Sequence, residues 1–516
     1  MRGIKQNSER VRGLTAKGAA WIWVAMAFLV DMWYQIVPGK WITDGDLAGE
    51  LLLADLLNKE KGILSRNWFY TTELRVFETQ WFYRLGLLLF PSNWHSARVF
   101  AAALMTIVLV CAFIYFSKAI DLGNYGIWAA GFLIWPFGFW HLFLTIYGLY
   151  YMVYLIFSLL TMGLIIRYVR EKKLHRLVLV LILALFSGLN GIRQTIVLFA
   201  PLIISAIIIF FVKNKSDVVA ESEKKEDLRK RLLIISFLAV IANLLGYAIN
   251  ALVFARKYQF RNFSDFLWGH NAIGPVDTVI DFLKLFGYLE GVPVLSVEGI
   301  ASLAGVIIAC VLVGFTCLLL KQNNEYSFGE QVVIILFSVM VLFQTIVFAF
   351  LGNYTINYWL PVLCFAVAAL ALGFKKIPIP SCIVKQVALI MFSVLIVISS
   401  IGAIKKEVTS PLRGKPGLME VSQWLSENGY NVVIASFWNA DQITEFTNGE
   451  VEVYIASANA ENGQQWLQKT SHFELPKGDY IQLINTNDGE NIENYASYPN
   501  SSLVYSFSGI EAYYVE

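Results

Sequence analysis

Charged residues are scarce in this sequence. Only 15% of its 516 residues are Asp, Glu, Lys or Arg, whereas 57% are hydrophobic. A soluble domain of this size would carry nearer a quarter charged residues. Several apolar runs also approach the roughly 20 residues that cross a bilayer as a helix. The composition excludes an ordinary soluble protein and predicts a polytopic α-helical membrane protein.

Cysteines and targeting signals are scarce as well. The five cysteines lie in or beside apolar runs, at no spacing typical of metal ligands, and none lies in the polar C-terminal tail. No disulfide framework is therefore expected in that tail. The first apolar run follows a basic N-terminus but lacks a small-residue cleavage site, so we expect no cleavable signal peptide.

Nucleotide-binding motifs are absent too. The sequence contains neither a Gly-x-x-x-x-Gly-Lys-Ser/Thr loop nor a dinucleotide fingerprint after a predicted strand. It has no basic patch of the kind that binds nucleic acid. We therefore expect no nucleotide cofactor and no nucleic-acid partner.

The apolar runs predict about eleven membrane spans. They lie near residues 19–37, 97–116, 125–140, 147–168, 176–189, 195–212, 232–253, 299–320, 331–350, 359–374 and 386–404. Lys and Arg gather in residues 1–18 and in every second loop, including the charged linker 213–231. By the positive-inside rule these segments are cytoplasmic. The loops 38–96 and 254–298 and the tail 405–516 are then extracytoplasmic.

The tail 405–516 differs in composition from the rest of the chain. It has a helical pattern at 419–427 and strand-like runs at 431–437, 451–456, 480–485 and 503–507. Turn pairs such as Asn448-Gly449 separate these runs. We predict a small extracytoplasmic α/β domain.

The first outer loop opens with acidic residues directly after the first span. Asp44, Asp46 and Glu50 lie in the segment WITDGDLAGE. The leucines of 46–57 recur at helical spacing, and 74–90 is amphipathic and aromatic-rich, so both stretches are typical of helices in the membrane interface. A carboxylate at that height can deprotonate a hydroxyl beside the lipid surface.

Between these two stretches, residues 65–75 combine arginines, hydroxyls, aromatics and an acid. Trp68 and Tyr70 could stack on a sugar, and Glu73 could orient an acceptor. An active-site loop and an interfacial helix whose acids merely face water explain the composition about equally well. The position immediately after the first span favours the active-site loop.

Cations on the outer side form a second group of candidates. Arg193 lies between two apolar runs, where it either binds a lipid phosphate or pairs with a carboxylate. Arg256, Lys257 and Arg261 are interleaved with aromatics, which suits a polyprenyl phosphate or merely anionic lipid headgroups. His270 could bind the phosphate with them or act as a general acid, although a lone histidine is more often structural. Asp31, inside the first span, is expected to face the bundle and a structural partner.

Two short motifs and the overall plan resemble the GT-C class of integral-membrane glycosyltransferases. Asp44-Gly45 followed by Glu50 is similar to the Asp-Gly-x-x-x-x-Glu run of bacterial oligosaccharyltransferases, with one residue fewer before the Glu. Asn357-Tyr358-Trp359-Leu360-Pro361 resembles the Arg-Tyr-x-x-Pro start of a late span in the mannosyltransferase and aminoarabinose transferase branch, without the Arg. The architectural match covers the whole chain.

The resemblance implies an enzyme of the bacterial plasma membrane that uses a lipid-linked sugar donor. The metal-dependent members have a second acidic motif between the third and fourth spans, whereas residues 139–148 here contain no acid. This favours a metal-independent reaction over one with a bound divalent cation, and no other cofactor is expected. The tail lacks the Trp-Trp-Asp motif of oligosaccharyltransferases, which disfavours asparagine-directed transfer.

The sequence thus predicts transfer of a sugar from a polyprenyl-phosphate donor to a glycan, lipid or protein acceptor, with inversion. Asp44 or Asp46 would be the general base. Glu50, Trp68, Tyr70 and Glu73 would bind sugar or acceptor, while Arg193, Arg256, Lys257, Arg261 and His270 would bind the lipid phosphate. Two alternatives are a flippase, which would need polar residues lining its midplane, and a non-catalytic scaffold.

Overall fold

The structure is a computed structural model. It describes residues 2–41, 43–71, 73–136, 138–146, 149–211, 219–260, 274–322, 326–351, 354–379, 381–409, 416–458 and 460–516. Two predicted site residues, Arg261 and His270, lie outside the described residues.

Helices make up most of the chain up to residue 409. They are α1 (Arg2–Ile36), α2 (Gly45–Glu60), α3 (Gln80–Leu89), α4 (Trp94–Ala119), α5 (Asn124–Ile134), α6 (Phe139–Ile146), α7 (Leu149–Glu171), α8 (Leu174–Leu189), α9 (Ala200–Phe211), α10 (Val219–Leu252), α11 (Pro275–Lys284), α12 (Val297–Lys321), α13 (Phe328–Ala349), α14 (Leu360–Lys376) and α15 (Cys382–Thr409). A π-helical turn, Thr195–Phe199, precedes α9.

The predicted polytopic helical fold is confirmed. Eight described helices are long and apolar enough to cross a membrane, and the pair α5–α6, bent by 90° at its break, can form a ninth span. The shorter apolar helices α8 and Thr195–Phe211 coincide with the two other predicted spans. The sidedness of the chain stays a prediction.

The centre of the helical bundle is formed by α7 and α14. In the most apolar segment of α7 and of α14, 83% and 89% of the residues are buried. In the corresponding segments of α10, α12 and α15, only 33% are buried. The small side chains of α14 allow neighbouring helices to approach closely. Helices α10, α12 and α15 have exposed apolar faces. In a membrane, lipid would cover these faces.

The first long loop is folded rather than extended. It contains α2, the short strand β1 (Trp68–Phe69) and α3. The helix predicted at 46–57 is present, but it does not lie on an open surface. Helix α2 packs against α3, and the C-terminal domain covers it from another side, so most of its residues are buried.

The C-terminal segment forms the predicted small α/β domain. Its elements are α16 (Pro416–Glu427), β2 (Val432–Ala435), α17 (Phe437–Phe446), β3 (Glu452–Ile455), β4 (Gln468–Lys469), β5 (Tyr480–Asn485), β6 (Ser501–Phe507) and β7 (Ile510–Val515). Five strands form a sheet in the order β3-β2-β5-β7-β6. Strand β2 is parallel to β3 and β5, and β7 is antiparallel to β5 and β6.

Three elements of this domain, α17, β4 and β7, were not predicted. The strand predicted at 431–437 ends at Ala435, because α17 begins at Phe437 and buries one side against α2. Strand β7 follows β6 after a two-residue turn, Ser508-Gly509, in which both residues have positive φ. That turn geometry is typical of a tight β-hairpin.

The C-terminal domain is attached to the first loop by three kinds of contact. Strand β1 pairs with β4, Trp68 facing Lys469. A buried ion pair of 3.1 Å joins Arg98 of α4 to Glu445 of α17. At the start of α2, a Cβ on Gly45 would lie 2.8 Å from the carbonyl oxygen of Phe437. The domain therefore covers the acidic start of α2 closely.

Candidate active site

The two aspartates at the start of α2 have different surroundings. Asp44 is the N-cap residue, and its Oδ1 accepts a hydrogen bond of 2.8 Å from the Leu47 amide. This bond satisfies one of the free amides of the first helical turn. Asp46 lies in that first turn and lines a cleft between α2 and the C-terminal domain. Asp44 thus supports the helix, whereas Asp46 faces a space that a ligand can enter.

Glu50, one turn further along α2, pairs with an arginine. Its Oε1 lies 3.3 Å from Nη1 of Arg75; the Glu50 side chain is buried, and that of Arg75 is largely so. The Arg75 guanidinium also lies 5.2 Å from the ring centroid of Tyr150 on α7, a distance at which a cation and a ring attract each other. The pair therefore joins the first loop to the central helix of the bundle.

The segment that contains Arg75 is held against the bundle by two asparagines. Oδ1 of Asn190 accepts hydrogen bonds from the amides of Val76 and Phe77, at 3.0 and 2.8 Å. Nδ2 of Asn250 donates to the carbonyls of Leu74 and Leu189, at 2.6 and 2.5 Å. This part of the loop is thereby held in place beside the ends of α8 and α10.

Arg193 lies in a pocket of aromatic rings at the end of α8. Its guanidinium is 5.2, 5.5 and 5.0 Å from the ring centroids of Tyr151, Tyr154 and Tyr358. Its Nε is 3.8 Å from Oε2 of Glu73. Tyr358 belongs to the Asn-Tyr-Trp-Leu-Pro motif, which forms a short 3₁₀ turn before α14. Arg193 therefore contacts the motif, and these two features predicted from the sequence lie together in the structure.

The π-helical turn Thr195–Phe199 begins two residues after Arg193. Such turns are rare and occur frequently at functional sites. Side chains from neighbouring helices stabilise it: Nε2 of Gln344 donates to the Val197 carbonyl at 3.0 Å, and Thr195 donates to Oδ1 of Asn243 at 2.5 Å. Polar side chains within the apolar bundle therefore hold this turn in place.

A groove opens beside Arg193. It is narrow, with a volume of about 40 Å³. Apart from Glu73, Arg193 and Tyr358 its walls are apolar, formed by Ile192, Ile196, Val197, Val347, Phe348 and Leu351. Nη1 of Arg193 is buried and, within the described residues, has no hydrogen bond. A buried donor of this kind requires an explanation. An anionic ligand with an apolar tail would satisfy both the donor and the walls.

Burial raises the pKa values of the carboxyl groups on this loop. The pKa of Asp46 is raised by burial, and the positive charges of Arg75 and Arg193 oppose that shift. Burial raises the pKa of Glu50 to about 7, against the effect of Arg75. The pKa of Glu78 is raised well above its ordinary value for the same reason. These groups are therefore better proton acceptors than exposed carboxylates, and perturbed groups of this kind cluster at functional sites.

Glycine is required next to Glu73. Gly191 has φ +99°, and a Cβ there would lie 2.7 Å from the carboxyl carbon of Glu73. L-residues rarely adopt that φ, so both the backbone conformation and the close approach favour glycine.

Other predicted residues have different places. Trp68 and Tyr70 are buried in the apolar core beneath the C-terminal domain, so neither ring presents a face to a sugar in this structure. Arg256 and Lys257 lie exposed on a short 3₁₀ turn after α10. Asp31 accepts a hydrogen bond of 3.0 Å from Thr106, the kind of structural partner that was expected.

Several residues of the site were not predicted from the sequence. Arg75 and Glu78 follow Glu73 closely, and their proximity to the other acids was a usable signal. The tyrosines of α7 gave little signal, since apolar spans commonly contain aromatics. Trp438 and Trp466 of the C-terminal domain lie beside Asp46 only in the folded chain.

No three His, Cys, Asp or Glu side chains in the described part of the chain lie close enough together to hold a metal ion. The candidate site consists instead of carboxylates paired with arginines. The prediction of a reaction without metal stays a prediction.

The fold and the site define a polytopic membrane protein with an attached α/β domain and a charged centre between the two. No family model matches the sequence, and no curated protein matches it significantly. Solved structures do match the fold over nearly the whole chain, and these are glycosyltransferases of the GT-C fold.

ArnT from Cupriavidus metallidurans bound to undecaprenyl phosphate has a TM-score of 0.61 and 8% identity, covering 96% of this chain and 98% of that one. Its apo state has a TM-score of 0.58 and 9% identity, covering 97% and 98%. The oligosaccharyltransferase AglB from Archaeoglobus fulgidus, in complex with an inhibitory peptide and a dolichol-phosphate, has a TM-score of 0.51 and 11% identity, covering 96% and 74%. The chain therefore has the GT-C fold.

Proposed function

We propose that this protein is an integral-membrane glycosyltransferase that transfers a sugar from a polyprenyl-phosphate donor to an acceptor on the extracytoplasmic face. The observation that supports this most directly is the groove beside Arg193. It combines apolar walls with a buried guanidinium that has an unused donor. A polyprenyl phosphate has the matching parts, an apolar chain and an anionic head. The fold is shared with an ArnT structure bound to undecaprenyl phosphate.

The donor phosphate binds at Arg193. Arginine binds phosphate through charge-assisted hydrogen bonds, and the buried Nη1 of Arg193, which has no hydrogen bond within the described residues, is the donor available for one. The tyrosine rings around the guanidinium restrict its orientation. Arg193 stabilises the negative charge that develops on the phosphate as the sugar leaves. Arg256 and Lys257, both exposed, draw the headgroup towards the site.

Asp46 is the general base. It accepts the proton of the acceptor hydroxyl as that oxygen attacks the anomeric carbon. The bond between the anomeric carbon and the phosphate oxygen breaks, and polyprenyl phosphate leaves with the electron pair. The single displacement inverts the anomeric configuration. Asp44 holds the first turn of α2 in place as its N-cap.

Glu50 and Arg75 position the base. Their ion pair holds α2 against the bundle, and the Arg75 charge lowers the pKa of Asp46 from the value that burial alone would impose. Asp46 thereby stays deprotonated over more of the neutral range. The reaction proceeds without a divalent cation, so a chelator leaves the rate unchanged.

Retention of radiolabelled undecaprenyl phosphate by the purified protein tests the donor site. Arg193→Gln removes the charge, and we expect affinity to fall about tenfold or more, because hydrogen bonds to charged groups contribute about 1.5–3 kcal/mol.

Arg167→Gln is the matched control. Arg167 lies 4.3 Å from the ring centroid of Tyr115, so it is also an arginine on a tyrosine, but it is not part of the groove. Equal affinity of the Arg193 and Arg167 variants would contradict the donor site. Movement of labelled lipid across proteoliposomes without any sugar transfer would indicate the flippase instead.

A further inference from the structure

A second cleft lies between α2 and the C-terminal domain. It has a volume of about 500 Å³, within the range of small-molecule sites. Asp46 contributes to one wall. The other walls come from segments that follow the strands of the sheet, with Ser436 and Trp438 after β2, Ser457 after β3 and Glu490 after β5.

The cleft lies at the edge of the sheet where ligands bind in parallel α/β folds. Strand β2 lies between β3 and β5 and is parallel to both. The chain passes from β2 to β3 on one side and later to β5 on the other. Outside the carboxyl ends of strands at such a point, the connections diverge and leave a crevice. The backbone topology therefore predicts a binding site here independently of the cleft volume.

Aromatic rings form much of its lining. Phe437 and Trp438 have ring centroids 4.8 Å apart, and Trp466 stands nearly perpendicular to Phe437 at 88°, with centroids 6.4 Å apart. Trp438 is 54% exposed although the domain around it is well packed. Ring faces suit ligands with flat apolar faces and polar edges, such as pyranose rings.

The polar groups of the cleft are suited to hydroxyls. Oε2 of Glu490 accepts a hydrogen bond of 2.8 Å from the backbone amide of Asn485. This bond fixes the Glu490 carboxylate. Oγ of Ser436 accepts one of 2.8 Å from Asn439. Ser457 and Gln464 add groups that both donate and accept. Sugar hydroxyls, which also donate and accept, match this set.

The charge of the lining excludes anionic ligands. Among the described residues that line the cleft, the charged ones are Asp46 and Glu490, and neither Lys nor Arg is present. A phosphate or carboxylate placed here would be repelled by both acids. The charge of this lining is therefore negative, whereas the donor groove contains the positive charge of Arg193.

We infer that this cleft binds the acceptor as a neutral saccharide, with a sugar ring against Trp438 and Trp466 and the reacting hydroxyl directed at Asp46. The inference rests on the proposed transferase function and specifies its acceptor. It gives the C-terminal domain the role of holding the acceptor while the bundle holds the donor.

Binding of neutral oligosaccharides to the full-length protein in nanodiscs tests the inference. The probes are tetrasaccharides of glucose, mannose and galactose, compared with an oligogalacturonate and a neutral tetrapeptide, and the readouts are tryptophan fluorescence and saturation-transfer NMR. We expect at least one neutral tetrasaccharide to bind, and Trp438→Ala to weaken it about tenfold or more, as for a central aromatic anchor. Trp438→Phe, which keeps a ring and avoids a folding defect, should retain most of the affinity.

Tyr498→Ala is the control, since Tyr498 is a similarly exposed aromatic (48%) of the same domain and does not line the cleft. The inference is overturned by preference for the oligogalacturonate or the peptide, by no saccharide binding at millimolar concentration, or by unchanged binding in the Trp438→Ala variant. Undecaprenyl phosphate retention, measured on the same preparation, separates the two proposals. Retained lipid without saccharide binding refutes only the cleft, and absent lipid binding refutes the donor site.

Discussion

Asp44 and Asp46 show how much residue-level chemistry depends on the fold. The sequence places both beside the membrane surface and cannot distinguish them. In the structure Asp44 accepts a hydrogen bond from the Leu47 backbone amide, and Asp46 lines the cleft between α2 and the C-terminal domain. Glu50 was a candidate from its spacing, but its partner Arg75, twenty-five residues later, could be identified only in the folded chain.

In the proposed mechanism, the pH dependence of transfer is set by Asp46 and the neighbouring Arg75. The base must be deprotonated, so the rate rises with pH through the pKa of Asp46 and then levels off. The positive charge of Arg75 lowers that pKa, so Arg75→Gln should move the acidic limb to higher pH, by about one unit. The pH profile of kcat/KM measures the shift.

Arg75→Lys keeps the charge and should leave the limb close to its wild-type position. Arg84→Gln is a further control, because Arg84 contacts Trp81 and Asn58 rather than the site. A limb that stays in place in Arg75→Gln, or moves to lower pH, would contradict the role of Asp46.

Asp441 makes the protein less stable at high pH. Burial and the negative charges of Asp46 and Glu445 raise its pKa well above the ordinary value. A carboxyl group whose pKa is raised on folding contributes stability at low pH and loses it as pH rises towards the folded-state pKa. Asp441→Asn should therefore be more stable than wild type, with a difference that grows from pH 5 to pH 8 to a few degrees in the unfolding midpoint.

Thermal unfolding in detergent at several pH values measures this difference. Glu461→Gln, at an exposed acid of the same domain, should show none. A stability difference for Asp441→Asn that is constant across pH would contradict the shifted pKa.

At the scale of elements, the spans were predictable and the contacts between loop and tail were not. Hydropathy identifies α7 and α14 because a bilayer requires long apolar helices. Helix α17 was missed because Phe437–Phe446 follows a strand pattern directly and mixes polar residues with its buried face. That face is covered by α2, about 390 residues away in sequence, a contact that no local pattern reports.

The ion pair between Arg98 and Glu445 holds these distant elements together. Both side chains are 2% exposed, and removing one partner of such a pair leaves a buried charge at a cost of about 3–5 kcal/mol. Glu445→Ala should therefore lower stability strongly. The double variant Arg98→Met/Glu445→Met should recover most of the loss, because neither charge is left alone.

Lys469→Ala, which breaks the exposed Lys469–Glu452 pair, is the control and should cost less than about 1 kcal/mol. Thermal unfolding compares the four proteins. An equally small loss for Glu445→Ala would show that the pair does not hold the domain in place.

At the scale of the whole molecule, composition and charge asymmetry predicted the architecture, while the site required the assembled chain. Its groups come from α2, the loop before α3, α7, the end of α8 and the C-terminal domain. The two clefts differ in charge, one with Arg193 and the other with Asp46 and Glu490. In the proposed function, the first binds an anionic donor and the second a neutral acceptor.

Sidedness is a property of the whole molecule, and the charge bias predicts the C-terminal domain outside. In a variant without the five natural cysteines, Ser502→Cys on β6 should react with a membrane-impermeant maleimide in intact cells. Lys172→Cys, between α7 and α8, should react only after lysis. Both positions are exposed, so the opposite labelling pattern would invert the topology and place the proposed site in the cytoplasm.

The central claim is that Asp46 activates an acceptor for attack on a lipid-linked sugar. The most direct measurement is transfer from radiolabelled undecaprenyl-phosphate sugars in purified membranes, with Asp46→Asn and Asp44→Asn compared with wild type. We expect Asp46→Asn to lower kcat about 10²–10⁴-fold with donor retention unchanged. Asp44→Asn should keep most of the turnover, since Asn also caps helices well. Full transfer by the Asp46→Asn variant would contradict the account.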